Sequence, residues 1–218
     1  MGQAPEQTRR FSRESADHRK EELILATLRL IAVKGVRAAT VRAIALEASV
    51  TQGLIRHYFS SKDELIIAAY EYHMQRMTEL SAKSAEADSA SALERLASMV
   101  VTSLSPPVVD PQGISLWAGF FQFVQQHPQM RETHERTYLQ YRDRMQALIA
   151  DALDELNRPV DDAQLRQYAI ACNAVIDGLW LEGGALAEMF AEGELAEIGL
   201  KSVSGILGMD LTKQLETL

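Results

Sequence analysis

The chain of 218 residues holds a single cysteine, Cys172, so no disulfide can close within it. That fits a reducing compartment, and the cytoplasm is the expected location. No apolar run reaches the roughly 18 residues that a membrane span needs. The polar, charged start lacks the apolar stretch of a signal peptide. No segment alternates apolar and polar residues convincingly, which leaves no strand to predict. Internal repeats and low-complexity tracts are missing, and so is a glycine-rich phosphate loop. His18, His57, His73, His127 and His134 are scattered, without a HExxH pair, so no metal site is expected. Cys172 lies within an apolar helical stripe, the place of a core thiol rather than a nucleophile. Neither catalytic residues nor a cofactor can be assigned on this pattern, and an enzyme is the disfavoured class.

What remains is an ordinary soluble composition, 47% hydrophobic and 24% charged. The length suits one or two domains with a sizeable core. The net charge of −8 is unevenly placed: residues 1–62 hold 11 Lys+Arg against 6 Asp+Glu, and the remainder holds 11 against 24. A basic N-terminal part that meets phosphate, joined to an acidic part that does not, accounts for this split.

The basic part contains the stretch TVRAIALEASVTQGLIRHYFSSKDEL, residues 40–65. Val41, Ile44, Ala45 and Ala48 recur at helical spacing and form one apolar stripe. Thr40 precedes it, where a hydroxyl caps a helix start. Ala48-Ser49-Val50 closes this helix, and Thr51 caps a second. On that second helix Leu54, Ile55 and Tyr58 are the packing residues. Gln52, Arg56 and His57 face outward, with Gly53 between them. Gln52 and Arg56 are four apart and share a face. An amide, a guanidinium and little bulk between them suit a reader of the DNA major groove.

These residues, with Gly35, Phe59, Lys62, Leu65 and their spacing, resemble the helix-turn-helix of the TetR family of bacterial repressors. The resemblance implies operator binding through Thr40, Arg42, Thr51, Gln52, Gly53, Arg56, His57, Tyr58 and Lys62. One departure stands out: Ser49 occupies a turn position where the family usually has Gly. A left-handed backbone there strains a serine by about 1 kcal/mol.

In chain order, residues 1–17, with Arg9, Arg10 and Arg13, are expected to be a mobile arm. A first helix is expected over 18–34, striped by Leu23, Ala26, Leu30 and Val33 and ended by Gly35. The helix-turn-helix domain spans 18–65, and 66–218 form a helical ligand-binding and dimerisation domain. Ser61 and Glu64 have capping-box spacing at the start of a helix running to about residue 83. There Lys62 can meet a phosphate. Residues 84–90 are read as a linker. Helices are expected over 91–104, over 114–126 between Pro111 and Pro128, over 131–157, and after Pro159 and Asp161. The whole is all-α, with about nine helices.

Towards the C-terminus Leu165, Tyr168, Cys172, Val175, Leu179, Leu186 and Met189 keep a 3–4 spacing. Small residues run beside them: Ala171, Ala174, Gly178, Gly183, Gly184 and Ala185. Leu195, Ile198, Gly199, Val203, Ile206 and Leu207 stripe the last helix. Two such helices read as half of a four-helix bundle completed by a second copy. The TetR resemblance implies the same homodimer, with Tyr168, Cys172, Val175, Leu179, Leu186, Met189 and Ile206 as dimerisation residues. Two reading helices about 34 Å apart would then read a pseudo-palindrome.

Aromatic residues gather elsewhere: Trp117, Phe120 and Phe121 on the sixth helix, Tyr138, Tyr141 and Trp180 beyond it. Packing explains most of them. A ligand pocket walled by them, with Asp177 as counter-charge, suits a quaternary ammonium by cation–π attraction. The segments GLIRHYF, LWAGFF and AVIDGLWLEGGAL resemble the BetI subgroup of choline-responsive repressors. That likeness implies a choline-like effector, although Glu182 stands where the subgroup is expected to carry Arg. The alternative is an all-helical dimeric small-molecule binder without operator-specific DNA binding.

Overall fold

The structure, a computed structural model, describes residues 4–83 and 91–213, and the side chains of 16–81 and 91–213. The 84–90 linker lies outside the described residues, as do the side chains of Arg9, Arg10 and Arg13. Among the described residues there are nine α-helices and no strand. They are α1 (Ala4–Lys34), α2 (Val41–Glu47), α3 (Gln52–Tyr58), α4 (Lys62–Lys83), α5 (Ala92–Ser103), α6 (Pro111–Gln126), α7 (Pro128–Glu155), α8 (Asp162–Ala185) and α9 (Glu194–Leu207).

Three starts differ from the sequence expectation. α1 begins at Ala4, so 4–17 is helical backbone continuous with the first helix rather than a separate arm. Pro5 suits a first helical turn, and neither Gly nor Pro interrupts the chain before Gly35. α6 begins at Pro111, with Ile114 N–H donating to the Asp110 carbonyl, and α7 begins at Pro128, with Arg131 N–H donating to the His127 carbonyl. Both prolines open the helix that follows, because proline lacks the N–H that a first turn leaves unpaired anyway.

The chain divides into two compact units. The first comprises the residues up to His73 together with Ser115–Arg131. Its core is built from Leu23, Ala26, Leu30 and Ile31 of α1, Ile44 and Ala45 of α2, Ile55 of α3, and Leu65, Ile66 and Tyr70 of α4. Tyr70 meets Phe120 edge-on, ring centroids 5.1 Å apart. Val33, expected in the α1 stripe, is 78% exposed, and Ile31 takes the buried place. The second unit comprises Met74–Ile114 and the residues from Glu132 on. Its core joins Leu96 and Val100 of α5, Met145 and Ile149 of α7, Cys172 and Ile176 of α8, and Leu200 and Val203 of α9. Truncating one such buried aliphatic side chain to Ala costs about 2–5 kcal/mol.

Close approach of helices within this unit is made by glycine. A Cβ on Gly183 would run into Leu195, and one on Gly199 would run into Leu104. Gly184 sits likewise against Ile114. Gly178 has open space around it. α8 stops at Ala185, and a 3-10 turn over Ala187–Met189 follows. Leu186 and Met189 therefore do not continue the α8 stripe, and they are 54% and 76% exposed.

Candidate nucleic-acid interface

The turn between α2 and α3 is built from hydrogen bonds that the sequence itself supplies. The Thr40 hydroxyl accepts from Ala43 N–H at 3.2 Å and opens α2. The Thr51 hydroxyl accepts from Leu54 N–H at 3.3 Å and opens α3. Between them, Val50 N–H donates to the Ala45 carbonyl at 2.9 Å. This six-residue closure requires a left-handed residue just before Val50, and Ser49 takes it with φ 55°.

With Ile55 buried and Leu54 and Tyr58 half-buried, α3 can present only its other side. That side carries Gln52, Gly53, Arg56 and His57, all exposed. Thr51, Thr40 and Arg42 are exposed beside it, and the His57 and Tyr58 rings meet edge-on at 5.0 Å. No carboxylate stands on α3. Glu47, at the end of α2, is occupied by Arg29 at 3.2 Å. The exposed face of α3 therefore carries positive charge and amide hydrogen-bonding groups without an acidic residue to repel phosphate.

α4 starts beside this turn. The Ser61 hydroxyl accepts from Glu64 N–H at 3.0 Å. The Glu64 carboxylate reaches past Ser61 to accept from Ser60 N–H at 2.7 Å and from the Ser60 hydroxyl at 2.6 Å. The hydroxyl bond first, and the N–H bond next, hold its carboxyl below the usual range. Lys62 lies in the first turn, 3.8 Å from Asp63. Lys20 stands over the Phe59 ring at 5.4 Å.

The aromatic residues separate into different settings. In the first unit Phe120 is fully buried and serves the core, whereas Trp117 stacks on Phe121 at 5.0 Å and Phe121 stays 41% exposed. In the second unit a polar network joins α7 to α8. The Tyr138 hydroxyl donates to the Asp177 carboxylate at 2.6 Å, and the Asn173 amide donates to both, at 2.6 Å and 2.9 Å. Tyr141 and Ser103 share a hydrogen bond of 2.8 Å. Trp180 donates its indole N–H to the Val108 carbonyl at 2.9 Å. Burial, then the Asp177 contact, pushes the Tyr138 phenol up to about 12. Burial also raises Asp177 against the bonds from Tyr138 and Asn173. Asn173 and Ser103 escaped the sequence reading. The available signal was an Asn four residues before Asp177 on one face of an otherwise apolar helix.

Of the expected dimerisation residues, Tyr168, Val175, Leu179 and Ile206 are half-exposed, and Leu186 and Met189 are exposed. Cys172 must be removed from that set: at 1% exposure it packs inside its own chain, in the core shared by α5, α7, α8 and α9. Among the described residues, no helix is long and apolar enough to cross a membrane, and no group of His, Cys, Asp and Glu is placed to hold a metal ion.

Two capped short helices with an outward polar face, packed on a third, define a helix-turn-helix DNA-binding protein. Residues 23–69 match the family described as bacterial regulatory proteins, tetR family, and residues 92–208 match the BetI-type transcriptional repressor C-terminal family. The chain belongs to the TetR family of transcriptional regulators, with a BetI-type repressor C-terminal region. This is a family of repressors, not of enzymes. The chain is 27% identical over 172 residues to the HTH-type transcriptional regulator BetI of Paraburkholderia phytofirmans, covering 79% of this chain and 85% of that protein. Among solved structures, a protein of Pseudomonas aeruginosa PAO1 assigned as a transcriptional regulator is similar with a TM-score of 0.80 at 29% identity. That match covers 90% of this chain and 94% of the other. A protein of Saccharomonospora viridis, also assigned as a transcriptional regulator and solved in complex with choline, is similar at 19% identity with a TM-score of 0.67. It covers 88% and 96% of the two chains, and at that identity it bears on the fold alone.

Proposed function

We propose that this repressor acts in the cytoplasm as a homodimer that reads a pseudo-palindromic operator and is switched by a small cationic effector. The observation that carries the DNA reading is the exposed Gln52–Arg56 face of α3, free of carboxylates and held by the Thr40 and Thr51 caps. In this reading Gln52 and Arg56 contact base edges, with Gly53 leaving room for close approach. Thr40, Arg42, Thr51, His57, Tyr58 and Lys62 position the head on phosphate and sugar. Residues 18–65 are the DNA-binding domain, and 66–218 hold the effector and the partner copy.

A single short reading helix contacts too few bases for useful specificity, so a second copy is required. The outward sides of α8 and α9 suit it: Ala174, Gly178 and Gly205 are exposed, with Tyr168, Val175, Leu179 and Ile206 partly so. Leu186 and Met189, just past the end of α8, are exposed apolar residues as well. The effector reading rests on Tyr138, bonded to Asp177, with Tyr141 and Trp180 on the same two helices. The stacked Trp117–Phe121 pair, with Phe120 behind it, is a second candidate for effector contact. An effector shifts the DNA-binding equilibrium only by its differential affinity for the two forms.

The test is a gel shift on the DNA upstream of this protein's own gene, at physiological salt with excess competitor DNA. A specific shift is expected, lost in the Gln52→Ala, Arg56→Ala double variant while helicity and dimer survive. An unshifted operator region, or a double variant that binds as well as the parent, would leave the all-helical dimeric binder as the better reading.

A further inference from the structure

The Asn173 side chain is 2% exposed and has spent both of its amide hydrogens, on Tyr138 Oη at 2.6 Å and on Asp177 Oδ2 at 2.9 Å. Its carbonyl oxygen Oδ1 is buried, and no hydrogen-bond donor meets it. The amide orientation follows from Asp177: the reverse would set two acceptors 2.9 Å apart. The Tyr138 hydroxyl is committed as well, because it donates to Asp177 Oδ2 at 2.6 Å. Every donor of this network is therefore used internally, and what it still offers is acceptor capacity and one carboxylate. A buried acceptor left without a donor is costly, and a polar group buried without its partner calls for one.

Resting on the effector reading above, we infer that this network between α7 and α8 takes a cation carrying at least one N–H or O–H donor, with Asn173 Oδ1 accepting that donor and Asp177 facing the charge. The selectivity follows from chemistry. A fully substituted ammonium has no hydrogen to give from its nitrogen, so it can use only Asp177 and the aromatic rings. A primary ammonium has three donors and can meet both acceptors at once. Nearby charge is consistent: Asp177 is exposed and can be approached, and burial lowers the pKa of His134, 5.6 Å from the Tyr138 ring. Of the influences acting on Tyr138, that of Arg142, a turn further along α7, is the weakest. Asn173 is thus the residue that distinguishes donor-bearing from donor-free cations, a role that the aromatic rings cannot perform.

Calorimetric titration of the full-length wild type with n-butylammonium and with tetramethylammonium separates the two classes, since both carry one charge and similar bulk. n-Butylammonium is expected to bind at least about tenfold more tightly, the contribution of one charge-assisted hydrogen bond. Asn173→Leu is expected to narrow the difference by weakening n-butylammonium alone. Because Asn173→Leu can fail to fold, Asp177→Asn is the second variant, and both cations are expected to weaken together in it. Equal binding in the wild type, a preference for tetramethylammonium, or binding of neither would overturn the inference. The repressor reading is decided separately by the gel shift without added ligand, so the two can fail independently.

Discussion

The Val50 N–H reaches back to the Ala45 carbonyl at 2.9 Å, and this bond holds Ser49, between them, at φ 55°. Two other helix ends use left-handed residues, Asn157 at φ 54° and Gly208 at φ 62°, and asparagine and glycine both tolerate that backbone far better than serine. Ser49→Gly is therefore expected to stabilise the protein by about 1 kcal/mol. For a chain of this size that is a rise in melting temperature of about 2–4 °C. Thermal unfolding followed by circular dichroism checks it, and a fall in melting temperature would mean that the Ser49 side chain contributes something the backbone geometry does not reveal.

Lys62 and Arg56 are predicted to fail in different ways when removed. Lys62, at the start of α4 and only 3.8 Å from Asp63, is loosely paired and free to meet phosphate. Lys62→Ala should weaken binding to operator and to unrelated DNA alike, and reduce the slope of log affinity against log salt by about 1. Arg56→Ala should instead cost about 1–3 kcal/mol on operator and relax the base preference at one position of each half-site. Affinity measured across a salt series on operator and scrambled DNA distinguishes them. Identical behaviour of the two variants would remove the division between base and phosphate contacts.

The head was legible because its signals are local: Thr40 and Thr51 cap within three residues, and Gln52 and Arg56 lie one turn apart. Helix starts were misplaced where one residue type carries two meanings. Pro128 follows one helix and opens the next, and a stop was expected where the structure also has a start; Pro111, expected in a loop, opens α6. Periodicity gave the α8 stripe but not its direction. Cys172 and Val175 share that stripe, yet one is buried in its own core and the other is half-exposed, because the packing of α9 decides which side of α8 is covered. The Asn173 network was illegible for a different reason. Tyr138 and Asp177 are far apart in sequence, and only the folding of α7 onto α8 sets them 2.6 Å apart.

Glycines in the second unit should respond to alanine with opposite signs. At Gly199 a new methyl meets Leu104, which is itself buried, and Val100 at 3.3 Å. Overpacking of about 1–3 kcal/mol should outweigh the gain in helix propensity of about 1 kcal/mol, so Gly199→Ala loses stability. At Gly178 the methyl enters open space, and the propensity gain should stand alone within one chain. If α8 meets a second copy through this face, Gly178→Ala also loosens the dimer. Light scattering on dilution, together with denaturant unfolding, separates the two effects. A Gly178→Ala protein that is less stable as a monomer would contradict the open space seen there.

Cys172 should be a silent thiol. It is 1% exposed, and burial pushes its thiol up to about 12, so at neutral pH almost no thiolate exists to react. The native protein is expected to resist a disulfide exchange reagent for as long as it stays folded, and to release one equivalent of product at once in denaturant. Rapid modification of the native protein would mean that α8 opens locally far more often than its core packing implies.

Tyr138 gives the pH dependence. Its phenol is pushed up from 10.0 to about 12, by burial first and by the Asp177 carboxylate next. Between those two values the unfolded chain has released a proton that the folded chain keeps. The folded state binds more protons there, so stability falls as pH rises through this window. Asp177→Asn removes the carboxylate's share and leaves burial in place, so the phenol should come down part of the way towards 10.0. The alkaline loss of stability should shrink with it. Phenolate absorbance, with the Tyr138→Phe variant subtracted to isolate this ring, follows the titration directly. A Tyr138 that titrates unchanged in Asp177→Asn would assign its whole shift to burial and leave the 2.6 Å contact without electrostatic effect.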